Sequence, residues 1–366
     1  MSKQQLAIAL DVIGADKGIE TLLAGCRQVF QKGLEASVVL AGDEARIREH
    51  GPGAGLDLDS NKIRIRHAEA VVTMQDKPTQ AMRRGRNTSM WAAIEAVKKG
   101  EVSAAVSCGN TGALMAMSIL QLRMIEGVDR PAITALWPNT RGGNGVVLDV
   151  GANVEANETQ LVQFAIMGEA YYRALTGKQK PKVGLLNVGA EELKGHELIR
   201  TAATTLREAD PEMDFYGFVE GDDLAKGTVD VIVTDGFTGN IALKSAEGTA
   251  RMIGGWVRES LTATLLSKMG AALMMGSLKR LKSRMDPSRV NGAPLLGLNG
   301  LVLKSHGSSD ADGIAAALLT AENLARNPFQ DEIKTTIAKV ARRTERALTQ
   351  SNQDTEEQKC QQKAIV

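Results

Sequence analysis

The segment Ser107-Cys-Gly-Asn-Thr-Gly-Ala-Leu-Met115 gathers residue types that hold an anion: Gly109 and Gly112, which let a ligand approach the backbone, the amide Asn110, and the hydroxyls Ser107 and Thr111. It leaves an apolar run and enters one of helical period, so Asn110 or Thr111 caps a helix whose free first-turn N–H groups favour negative charge. An ordinary capped helix after a glycine turn explains the same residues. Thr234-Asp-Gly-Phe-Thr-Gly-Asn-Ile241 repeats the build, with Asp235 at a strand end followed by Gly236, Thr238 and Asn240. Lys304-Ser-His-Gly-Ser-Ser-Asp310 places one cation, three hydroxyls and an imidazole in seven residues, ahead of a helical segment from Ala311. Lys304, Ser305 and Ser308, with the backbone at Gly307, suit a phosphate cradle. Asp11-Val-Ile-Gly-Ala-Asp16, Asp149-Val-Gly-Ala-Asn153 and Asn187-Val-Gly-Ala-Glu-Glu-Leu-Lys194 add carboxylates and amides. The expectation is that these six loops meet at one sheet edge as one polar site.

Familiar motifs are missing. Gly51-Pro-Gly-Ala-Gly55 has the wrong spacing for a dinucleotide fingerprint, and neither a Walker A loop nor a Gly-x-Ser-x-Gly elbow occurs. His196-Glu-Leu-Ile-Arg200 lacks the second His of a zinc protease helix. No metal site is expected.

The elements that must position these loops follow from hydrophobic period. Short apolar runs at Leu6–Asp11, Ser37–Gly42, Ile63–His67, Ser103–Ser107, Ala132–Leu136, Val146–Val150, Lys182–Val188 and Val229–Thr234 read as buried strands. Amphipathic stretches such as Asn157–Leu175 and Glu191–Glu208 follow them. This alternation predicts a three-layer αβα, Rossmann-like open sheet, mostly parallel. Met1–Leu348 reads as one catalytic α/β unit, of one lobe or two, and residues 349–366 as a polar tail with almost nothing to bury.

With 44 Lys and Arg against 43 Asp and Glu, the chain of 366 residues is not built to bind nucleic acid electrostatically. Its three cysteines are far apart, which argues against a disulfide framework. Leu6–Leu10 is too short for a signal peptide, and no run of 18 apolar residues occurs, so the cytoplasm is the expected compartment. From Ser260 to Arg284, Leu265, Leu266, Met269 and Met274 alternate with five cations, among them Lys279, Arg280 and Lys282, and no acid. Such a stretch suits an anionic membrane surface, a core or dimer helix, or a groove for an acyl chain.

Taken together these segments resemble the bacterial phosphate acyltransferase (PlsX) family. The matching runs are Ser107–Ala116, Leu148–Asn153, Val183–Gly189, Asp235–Asn240, and Gly292–Gly300 leading into Lys304–Asp310. Ala15, Lys17, Ala190 and Asn291 depart from the family pattern. The resemblance implies a fold like that of isopropylmalate dehydrogenase and phosphotransacetylase. It implies transfer of a long-chain acyl group from acyl-acyl carrier protein to inorganic phosphate, giving acyl phosphate for phospholipid synthesis, with no cofactor. It further implies a homodimer in peripheral contact with the membrane and with a membrane-bound acyltransferase that uses the product.

In that reaction phosphate attacks the thioester, a tetrahedral oxyanion forms, and a thiolate leaves. Lys304, Ser305, Ser308 and Gly307 would hold phosphate while Asn110, Thr111 and the amides near Gly112 polarise the thioester oxygen, or the two roles would be exchanged. His306 would protonate the sulfur or orient phosphate. Asp235 and Asn240 would orient these groups, with Ser107, Gly109, Asn153, Asn187, Gly236 and Thr238 lining the substrates. The rivals are a short-chain acyl-CoA phosphate acyltransferase, a non-catalytic scaffold binding acylated carrier protein at the membrane, and a nicotinamide dehydrogenase.

Overall fold

A computed structural model describes residues 6–76, 78–278 and 291–345. Its centre is an eleven-stranded sheet. In chain order the strands are β1 (Ala7–Asp11), β2 (Ser37–Gly42), β3 (Ile63–His67), β4 (Ala104–Ser107), β5 (Ala132–Pro138), β6 (Asn144–Leu148), β7 (Lys182–Leu186), β8 (Asp214–Val219), β9 (Val231–Val233), β10 (Ala293–Leu296) and β11 (Leu301–Lys304). Across the sheet they run β3-β2-β1-β4-β11-β10-β5-β6-β9-β7-β8.

Helices cover both faces because the central strands are apolar on both sides. Ile8 and Leu10 of β1, Val38 and Leu40 of β2, and Val146 and Leu148 of β6 face one apolar cluster, filled from outside by the helices Gly18–Gln31, Glu158–Thr176 and Ala311–Arg326. Their neighbours Ala9, Val39 and Val147 face the other, filled by the helices Ser89–Lys98 and Thr111–Leu122.

Sheet direction decides what each loop can meet. β3, β2, β1, β4 and β11 are parallel, but β11–β10, β10–β5 and β5–β6 are each antiparallel. Three reversals in succession leave β6, β9, β7 and β8 parallel to one another and opposite in sense to the first group. The expectation of a single carboxyl edge is therefore corrected: the strand-end loops fall into two sets.

Leu265 and its neighbours do not form one helix through 260–285. A helix of 27 residues, Gly236–Thr262, ends at a corner, and Leu265–Leu273 follows, capped by Thr264, whose Oγ1 accepts from Ser267 N at 3.0 Å. The longer helix buries only Gly236 and Gly239, at its root. Leu265, Leu266, Met269 and Met274 are 80, 80, 67 and 55% exposed, so they are not core. Lys279, Arg280, Lys282 and the tail 349–366 lie outside the described residues.

That root is tightly fixed. A Cβ on Gly239 would lie 1.9 Å from the Asp149 carbonyl oxygen, and the fully buried Asp149 carboxylate accepts from the N–H groups of Ile133, Gly151, Ala152 and Asn153 at 2.7–3.2 Å. Asp149→Ala leaves these donors unsatisfied, and we expect denaturant melts to show a loss of about 3 kcal/mol or more.

Candidate active site

The first set of loops is organised by β11 lying parallel to β4, in a register that pairs Lys304 with Ser107. Ser305 N donates to Ser107 O at 2.9 Å, continuing the ladder past the strand ends. The Lys304 ammonium donates to Cys108 O at 3.3 Å and to Ser305 O. An ammonium has three protons, so one remains for a ligand. Burial holds the Lys304 ammonium below the usual lysine range, and Cys108, Asp16 and Asp11 oppose that shift.

Asp11 ends β1, next to β4. Its Oδ2 accepts from the Ser107 hydroxyl at 2.6 Å, and Ser107 Oγ accepts in turn from Gly109 N at 3.1 Å. Burial pushes the Asp11 carboxyl up to about 6, against the pull of Ser107 and, more weakly, Lys304. Burial also pushes the Cys108 thiol up to about 11, which keeps it neutral and removes it as a nucleophile at neutral pH.

Asn110 is the N-cap of the helix Thr111–Leu122, as its type and position suggest. Its Oδ1 accepts from Ala113 N at 3.0 Å, while its Nδ2 donates to Met74 O at 2.9 Å and Asp76 O at 3.2 Å. The carboxamide is thus fully engaged, which corrects its expected role as a donor to substrate. It positions the loop 72–76 instead. The Thr111 and Gly112 N–H groups and the Thr111 hydroxyl make no hydrogen bond within the described chain. They are the donors left at this helix start.

The loop after β11 is clasped by the others. Asp16 N donates to Gly307 O at 3.0 Å, and a Cβ on Gly307 would lie 2.9 Å from Asp16 Oδ2 and 3.2 Å from the Met74 methyl. Ser305, expected to hold phosphate, is fully buried with its hydroxyl turned inward to Asn291 Nδ2 at 2.8 Å and Ser309 Oγ at 3.2 Å. Asn291 also lies 2.9 Å from Ser309 Oγ and 3.0 Å from Gly313 O, so this departure from the family pattern braces the loop from below. His306 and Ser308 are exposed and joined by a 2.9 Å hydrogen bond through Nδ1, and the Gly307 N–H has no partner within the described chain.

The second set belongs to β6, β7 and β9. Asn153 donates to Pro131 O at 2.7 Å and to Asp149 at 3.0 Å. Gly236 N donates to Asn153 O at 2.8 Å, and Asp235 caps its helix by accepting from Thr238 N at 2.7 Å and from the Thr238 hydroxyl at 3.1 Å. Asn240 packs beside Gly151. Asn187 donates to Lys194 O at 3.1 Å, and its buried Oδ1 has no partner within the described chain. The hydrogen bonds of Asp149, Asn153, Asn187 and Asp235 stay within this set and the start of β5 at Pro131 and Ile133, and none of them reaches Lys304. Apart from Asn187 Oδ1 and the Asn240 carboxamide, which makes no hydrogen bond within the described chain, the side chains named here are spent on fixing loops. Among the described residues no group of three or more His, Cys, Asp or Glu could hold a metal ion.

The largely parallel αβα sheet, with helices on both faces, is the fold of the phosphotransacetylases. A phosphotransacetylase from Streptococcus pyogenes superposes with a TM-score of 0.60 at 18% identity, covering 89% of this chain and 95% of that one. A 4-hydroxythreonine-4-phosphate dehydrogenase from Klebsiella pneumoniae gives 0.51 at 12% identity over 88% and 98%. The family model described as "Fatty acid synthesis protein" matches residues 6–332. Phosphate acyltransferases from Caulobacter vibrioides and Maricaulis maris are 51% identical, over 90% of this chain and 91% of the relative, and 50% identical, over 91% and 95%. The chain belongs to this phosphate acyltransferase family.

The raised pKa of Asp11 carries a sign. Between about 4 and 6 the folded chain keeps a proton that the unfolded chain has released, so this group's contribution to stability is full below about 4 and is lost as pH rises through about 6. Denaturant melts at pH 4 and pH 7.5 should show wild type losing on the order of 3 kcal/mol relative to Asp11→Asn across that interval.

Proposed function

We propose that this chain transfers a long-chain acyl group from acyl-acyl carrier protein to inorganic phosphate, releasing acyl phosphate and the carrier's thiol. The observation that carries the reading is the buried Lys304 ammonium with a spare proton beside the unpaired N–H groups of Thr111, Gly112 and Gly307. Phosphate is anionic at neutral pH, so no base is needed to make the nucleophile; the work left is to hold an anion against a thioester and to stabilise the oxyanion.

In this reading Lys304 and the Gly307 N–H hold phosphate, with Ser308 and His306 at the exposed rim. The Thr111 hydroxyl and the Thr111 and Gly112 amides receive the developing oxyanion. The carbonyl π electrons move onto oxygen as the phosphate oxygen bonds to carbon; collapse expels the thiolate, and His306 supplies a proton to sulfur. Asp11 acts through Ser107 and Lys304, as a positioning group.

Exposed apolar side chains support the rest of the proposal. Met252, Ile253, Trp256 and Val257 on the long helix are 38–58% exposed, a surface suited to a second copy of this chain. Leu265, Leu266, Met269, Leu273 and Met274 suit peripheral contact with an anionic membrane, where a membrane-bound acyltransferase would take up the lipophilic product. No described helix is long and apolar enough to cross a membrane.

Phosphate-dependent release of thiol from acyl carrier protein tests the activity, with acetyl-CoA as the competing donor; preference for acetyl-CoA would favour the short-chain rival. Lys304→Met should lower kcat/KM for phosphate by roughly a hundredfold or more. Unchanged kinetics would remove Lys304 from the site. Replacing Leu265, Leu266 and Met269 by Ser should reduce flotation with anionic vesicles several-fold, and equal recovery would end the membrane proposal.

A further inference from the structure

The wall of the site continues outward into a basic segment that the chemistry does not use. Asn110 ties down Met74 and Asp76, and the chain then forms the short helix Pro78–Arg84 and the turn Gly85–Asn87. From residue 77 to 87 the sequence has four cations and no acid, in a chain whose net charge is +1.

The segment has an inner and an outer side. Ala81 and Gly85 are buried, and a Cβ on Gly85 would lie 2.9 Å from the Trp91 ring and 3.6 Å from the Met117 methyl. Thr88 locks the exit, its hydroxyl donating to Gly85 O at 2.8 Å and accepting from Trp91 N at 3.2 Å. Arg83 and Arg86 are exposed, and neither makes an ion pair or hydrogen bond within the described chain. Some surface arginines of this protein are paired, Arg48 with Glu44, Arg207 with Glu192 and Arg326 with Glu35 and Glu322, while the side chains of Arg46, Arg123, Arg130, Arg141 and Arg258 are exposed without a partner within the described chain; what sets Arg83 and Arg86 apart is their place in an acid-free basic run beside the site. The nearest acids along the chain are Asp76, at the loop Asn110 holds, and Glu95, which is paired with Arg66 and Lys99.

We infer that Arg83 and Arg86 form the docking surface for an acidic face of the carrier protein that delivers the acyl group. The inference rests on the acyl carrier protein reading above. Two unpaired guanidinium groups, one on the short helix and one on the turn after it, suit carboxylates, and the short helix packs against the helix whose start bears Thr111 and Gly112. A carrier seated there would bring its flexible arm to that helix start. Rim charges of this kind act chiefly on association rate and salt dependence.

Steady-state kinetics with hexadecanoyl-acyl carrier protein test this. The double variant Arg83→Glu, Arg86→Glu should raise KM for the acylated carrier about tenfold or more, leave kcat and KM for phosphate within twofold, and flatten the ionic-strength dependence. Arg83→Lys, Arg86→Lys should stay within about threefold of wild type. An unchanged carrier KM, or a fall in kcat together with a rise in KM for phosphate, overturns the docking surface, the second outcome placing these residues in the site or the fold. If wild type itself releases no thiol from the acylated carrier in the presence of phosphate, the acyl carrier protein reading fails instead.

Discussion

The site depends on one ammonium largely withdrawn from water. Lys304 lies where β11 runs beside β4, and its protons are given to the carbonyl oxygens of Cys108 and Ser305, so the cation itself holds the two loops together. Nearby Asp11 and Asp16 supply the negative potential that makes a buried cation tolerable, while neither is paired with it directly. Under-neutralised charge in a low-dielectric setting attracts an anion more strongly than the same charge on a surface. The surrounding bonds, Asn291 beneath the loop and Gly307 against Asp16, keep that arrangement from relaxing.

Much of the fold is legible from apolar runs alone. Ser37–Gly42 and Ile63–His67 form strands with those bounds, and the helix from Ala311 begins where the Asp310 cap stops the loop. β8, β10 and β11 are harder to read. Gly217 interrupts β8; Pro294 lies in β10; and Gly297 and Gly300 flank a turn between two runs of four residues, too short to show a period. Missing that hairpin hides the first of the three reversals that split the strand ends into two sets.

Within the site, composition shows which loops are polar but not which polar atoms remain available. Asn110 and Ser305 have the right chemistry for ligands, yet their atoms are consumed by Ala113, Met74, Asp76, Asn291 and Ser309, partners 3 to 36 residues distant in sequence. Asp11 and Asn291 gain their roles from neighbours far along the chain, Ser107 and Ser305 among them. Small-residue loops at strand ends are therefore a sign of where polar atoms gather and a poor guide to the labour of each side chain.

The long arm from Gly236 to Leu273 carries a thermodynamic consequence. It meets its own chain mainly at two glycines, so the chain by itself leaves Trp256, Leu265, Leu266 and Leu273 in water. Any body that covers them binds the folded state and not the unfolded one, and folding becomes linked by mass action to what else is in the tube. Should a second copy or an amphiphile be that body, the melting temperature becomes a property of dilution and of added amphiphile as much as of sequence.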